Sequence, residues 1–102
     1  MVSIDEELSA ANKAKAVISV LMPSTPPAGS DVAIVVLRSA FRTATNAIRN
    51  LSSQQSLDNV RGEVGTALLG LSHALENESL TQETIDRAKR AVEAWLNGLA
   101  KI

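Results

Sequence analysis

The side chains here most able to do chemistry are a single histidine, His73, and a row of three arginines, Arg38, Arg42 and Arg49. Histidine exchanges protons near neutral pH and ligates metals, so its neighbours decide what it can do. A di-metal site in a helical bundle needs paired Glu-x-x-His motifs. Gly70 stands three residues before His73, no second histidine exists, and the absence of cysteine removes thiolate ligands. Ser72 and Glu76 lie close to His73 in sequence, but a nucleophilic triad needs a tertiary convergence that nothing here specifies. Gly62, Gly65 and Gly70 follow no predicted strand, and no GK[ST] motif is present, so no phosphate-cradling loop is read. The expectation is a non-enzymatic protein with no metal and no cofactor.

From His73 the chain reads HALENES. This resembles the H-x-x-K-G-x-S motif of histidine-phosphotransfer domains in its histidine and in Ser79. Glu76 stands where that motif has lysine and Asn77 where it has glycine. Two anions, Glu76 and Glu78, would repel an incoming phosphoryl group. Phosphotransfer at His73 is therefore the least favoured functional reading.

The arginine row lies with Thr45 along one edge of the second predicted helix, and it holds the only charges between Val32 and Leu57. Guanidinium forks suit phosphates and carboxylates alike. Three arginines with no aromatic between them are few for nucleic acid, so an acidic partner or nucleic acid is the alternative reading. The ordinary role for such a row is pairing within the fold, with Asp5, Glu6 or Glu7 or with acids of the last helix.

These residues must be carried by something, and the bulk properties point to one small all-α domain spanning 1–102. Hydrophobic residues make up 45% and charged ones 21%, which suits a globular chain rather than a disordered one. A net charge of −1 exerts no global pull toward nucleic acid or anionic lipid. The longest apolar run, Val32 to Leu37, is far short of the ~20 residues that span a bilayer. The acidic start MVSIDEEL does not read as a signal peptide. A cytoplasmic setting and a bacterial or phage origin are expected.

The spacing predicts an antiparallel four-helix bundle, with helices over roughly 4–22, 31–52, 57–76 and 82–101 and a Pro-rich crossover at 23–30. Ser3 with Glu6 makes a capping-box pattern, and Ile4, Leu8, Ala11, Ala14, Ile18 and Leu21 follow at helical spacing. Ser30 is the expected cap of the second helix, whose seam reads Ile34, Leu37, Phe41, Ala44, Ile48 and Leu51. Its flank of Ala33, Val36, Ala40 and Ala47 suits a second neighbour inside the bundle. The third helix repeats Leu57, Val60, Val64, Leu68, Leu71 and Leu75, and the fourth Ile85, Ala88, Val92, Trp95, Leu99 and Ile102. Thr81 caps the fourth, flanked by the Leu80 and Ile85 staple, and Glu83–Arg87 and Asp86–Arg90 are spaced for i,i+4 pairing.

One stretch departs from a simple amphipathic pattern. VGTALLGLSHAL, from Val64 to Leu75, has no charge on any side. With Val64, Leu68 and Leu71 facing the core, Gly62, Thr66, Leu69 and His73 fall on the opposite face, and Gly65, Gly70 and Ser72 lie between. A glycine inside a helix costs about 1 kcal/mol against alanine, a cost usually offset by close backbone approach. The expectation is a protein–protein interaction or assembly module. Gly62, Thr66, Leu69 and His73 would receive another helix, and a homodimer is favoured.

Overall fold

The computed structural model describes residues 3–23, 30–50 and 56–102. It contains four helices, α1 (Ile4–Ser19), α2 (Ser30–Asn50), α3 (Asp58–Glu76) and α4 (Gln82–Ala100). Helix α1 packs on α2 and α4, and α3 packs on the same two, so the four form a closed ring around one core. The all-α four-helix bundle read from the sequence is the fold observed.

The termini follow local chemistry. Ser3 Oγ accepts from Glu6 N at 3.1 Å, and Thr81 Oγ1 accepts from Thr84 N at 3.2 Å, satisfying backbone donors that a first turn leaves unpaired. Leu80 and Ile85 are both buried, as a staple requires. Helix α1 stops at Ser19 rather than at residue 22. Val20 and Leu21 bond back three residues, to Val17 and Ile18, because the residue before Pro23 is pushed out of the helical region. Ser30 already belongs to α2, so the cap position, like Leu51, lies outside the described residues. At the end of α3, Ser79 N reaches Ala74 O and Glu78 N reaches Leu75 O, a Schellman closure. Glu78 supplies its left-handed residue, at φ 53°.

Two helices are rotated relative to the expected stripes. In α1 the anticipated Leu8 is 39% exposed, and Glu7 occupies the core line with Ala11, Ala14 and Ile18. In α2 the core line is Ala33, Leu37, Ala40, Ala44 and Ala47, whereas Ile34 and Phe41 sit half-buried and Ile48 is exposed. The physical reason is size. Alanines let α2 approach the centre, and the Phe41 ring then lies against Gly65 of α3, 3.4 Å from where a Cβ would stand. Helix α4 follows its stripe, with Ile85, Ala88, Val92, Trp95 and Leu99 all buried.

Candidate interaction surface

Cross-helix contacts fix how the candidate residues are arranged. Gly65 lies against Phe41 and Thr45, and the Arg38 guanidinium pairs with Glu76, so the arginine edge of α2 borders α3. By helical position, Arg38, Thr45 and Arg49 stand on the flank of α2 toward α3. Gly62, Leu69 and His73 stand on the outer flank of α3 toward α2, whereas Thr66 lines a groove with Gly70 and with Glu83, Thr84 and Arg87 of α4. The arginine edge of α2 therefore adjoins Gly62, Leu69 and His73, and Thr66 turns toward α4. Gly62, Thr66 and His73 are exposed and Leu69 is half-buried.

The glycines divide by what surrounds them. Gly65 and Ser72, expected between two faces, are buried, and a Cβ on Gly65 would stand 3.4 Å from the Phe41 ring, at the near edge of van der Waals contact. A Cβ on Gly98 would run into Leu57. At Gly62 and Gly70, by contrast, a Cβ would meet nothing within 4 Å. Among the described residues nothing requires glycine at those two positions.

Arg38 is not paired with the acids of α1 or α4 but with Glu76 of α3, three residues beyond His73. This half-exposed pair contributes roughly 0–1 kcal/mol. Arg42 and Arg49 are exposed and close no ion pair among the described residues. On α4 neither Glu83–Arg87 nor Asp86–Arg90 closes; Asp86 accepts instead from Gln82 Nε2 at 2.8 Å. Solvation and side-chain entropy compete with such surface pairs on nearly equal terms.

The most concentrated polar chemistry is internal, in a group that the sequence reading did not bring together. Glu7, Arg61 and Trp95 are all fully buried. The Glu7 carboxylate accepts from Arg61 Nε at 3.0 Å, from Arg61 Nη2 at 2.6 Å and from Trp95 Nε1 at 2.6 Å. Arg61 Nη1 donates at 3.2 Å to Asp58, whose side chain is 31% exposed. Burial alone would lower the pKa of the Arg61 guanidinium. The hydrogen bonds and charges of Glu7 and Asp58 outweigh it, and the net direction is upward. A signal was present in the sequence: Glu7 stands four residues before Ala11, and Arg61 three before Val64, each in register with a core stripe. The group is a closed ion pair with every buried side-chain polar atom satisfied. It offers a substrate no open position.

A further omission concerns exposed apolar side chains. Val20, Met22, Val32 and Val35 are each about two-thirds exposed. Val35 and Val36 line a groove with Ser9, Ala10 and Lys13 of α1. Val32 and Val35 lie off the core line of α2, which the unbroken run Val32–Leu37 obscured. Among the described residues no cluster of three or more His, Asp or Glu side chains is placed to hold a metal, and no helix is long and apolar enough to cross a membrane. No family model matches this chain, and neither the curated proteins nor the solved structures contain a significant match.

Proposed function

We propose that the chain is a small non-enzymatic interaction module that self-associates through the outer face of α3. The observation that carries this reading is the open glycine pair. Gly62 and Gly70 each weaken α3 by about 1 kcal/mol against alanine, and no neighbour among the described residues needs their missing side chains. A second backbone approaching from outside gives that cost a purpose.

The occupant is a second copy of the chain. The exposed positions Gly62, Thr66, Gly70 and His73 carry no fixed charge, so two α3 faces meet without like-charge repulsion. Packed antiparallel about a two-fold axis, the Gly62 end of one α3 meets the His73–Glu78 end of the other. Arg49, one turn beyond the Thr45 that borders Gly65, is then aimed at the acids of the second copy.

The test is solution mass by light scattering across a concentration series, for the wild type and for Leu69→Glu. The expected result is a dimer that dissociates on dilution, with Leu69→Glu held as a monomer. A wild type that stays monomeric at every concentration overturns the reading, and so does a Leu69→Glu variant that dimerises as well as the wild type. A second reading, an acidic partner or nucleic acid, is favoured by the exposure of Arg42 and Arg49. Retention on DNA or RNA at low salt, lost in Arg42→Gln/Arg49→Gln, would identify it. The phosphotransfer reading is weaker still, because Arg38 is already engaged by Glu76.

A further inference from the structure

We propose that α1 is a releasable helix, seated by less apolar burial than α4 and clasped by one buried carboxylate. Helix α1 packs on α2 and α4, shares the core cluster with α3, and is tied to α3 by the hydrogen bonds of Glu7, which clasps Arg61. Its buried apolar residues are Ala11, Ala14 and Ile18, with Leu21 just beyond the helix. Helix α4 buries Ile85, Ala88, Val92, Trp95 and Leu99. An alanine removes far less apolar surface from water than a leucine or a tryptophan, so α1 is seated with a smaller hydrophobic gain.

The anchoring ion pair suits a helix that comes and goes. A buried pair must first overcome the desolvation of both charges, so its net contribution is smaller than its two hydrogen bonds suggest. Asp58 also stands at the rim, 3.2 Å from Arg61 Nη1. When α1 leaves, Arg61 keeps one carboxylate and gains water, which tempers the penalty of an orphaned charge. The contacts of Phe41 with Gly65 and of Leu57 with Gly98 involve α2, α3 and α4 alone and survive the release. The opened state is a three-helix trough carrying Leu37, Leu68, Val92 and Trp95, with the Arg61 cation among them. Such a trough suits an amphipathic helix bearing a carboxylate in the register of Glu7.

Native-state hydrogen exchange on the full chain tests the proposal. The slowest amides of α1 are expected to exchange about tenfold or more faster than the slowest amides of α3, through an opening short of global unfolding. Phe41→Leu weakens contacts that both the closed and the opened states make. It should accelerate α3 and leave α1 unchanged. Glu7→Gln weakens a contact that only the closed state makes, and should accelerate both helices by the same factor. A single shared rate for α1 and α3 in the wild type overturns the proposal, as does acceleration of α1 by Phe41→Leu. The wild-type comparison and Phe41→Leu decide the matter even if Glu7→Gln fails to fold. Neither outcome depends on whether the outer face of α3 self-associates, provided the measurement is made on the dilute monomer.

Discussion

Glu7→Gln is the substitution that most directly probes what holds this bundle together. The carboxylate accepts from three donors in a fully buried setting. Glutamine keeps one acceptor oxygen and turns an amide toward donors that it cannot satisfy. Removing one partner of a buried pair costs about 3–5 kcal/mol, chiefly because the other charge is left behind. Here Asp58 still engages Arg61, so the lower end, about 3 kcal/mol, is expected. A domain of this size has about 5–15 kcal/mol in total. With each kcal/mol worth about 4–8 °C, the midpoint should fall by roughly 10–25 °C. Thermal unfolding followed by circular dichroism measures this. Emission from Trp95, the only tryptophan and a donor to Glu7, reports the same site. The companion Glu7→Met/Arg61→Met removes both charges together and should recover most of the loss. A Glu7→Gln midpoint within about 2 °C of the wild type would refute the reasoning, since it would leave a buried guanidinium almost free of cost.

Other consequences follow from single residues. Gly62→Ala and Gly70→Ala should each stabilise the monomer by roughly 0.5–1 kcal/mol in urea unfolding, because the added methyls meet nothing. Gly98→Ala should forfeit that gain, since its methyl displaces Leu57. Glu78→Gly should stabilise by about 1 kcal/mol, relieving a left-handed residue and removing an anion from the negative end of α3. A double-mutant cycle on Arg38 and Glu76 should give a coupling of at most about 1 kcal/mol that declines with salt. Alkaline titration should reveal no loss of the Arg61 contribution at any pH below the ordinary arginine range. Its folded pKa is raised, so its stabilisation is complete below the unfolded value and lost only above the folded one.

Helix number, order and the core of α4 were legible in the sequence because one apolar stripe there has charges on its other sides. In α2 both flanks are apolar, so periodicity alone could not choose between the alanine line and the Ile34–Phe41–Ile48 line. The choice is made across the interface, where the Phe41 ring packs closely beside Gly65. In α1 residue type misled. A glutamate beside a leucine suggests that the leucine is the buried one, yet Leu8 faces out and Glu7 faces in. What turns the helix is a need outside it: Arg61 stands on the core line of α3, and the indole of Trp95 requires an acceptor. Reading position before type would have linked them, since an acid, a base and the sole tryptophan each occupy a core register on a different helix. The same correction bears on the charge-free run of α3. Its inner half is accounted for by the core and by Phe41, which narrows the unexplained part to the outer flank, where Gly62 and Gly70 stand open. A partner surface, if it lies on α3, lies there, and alanine at those two positions separates its two roles. Each substitution should strengthen the monomer and weaken the dimer, opposite signs that no purely structural account of the glycines produces.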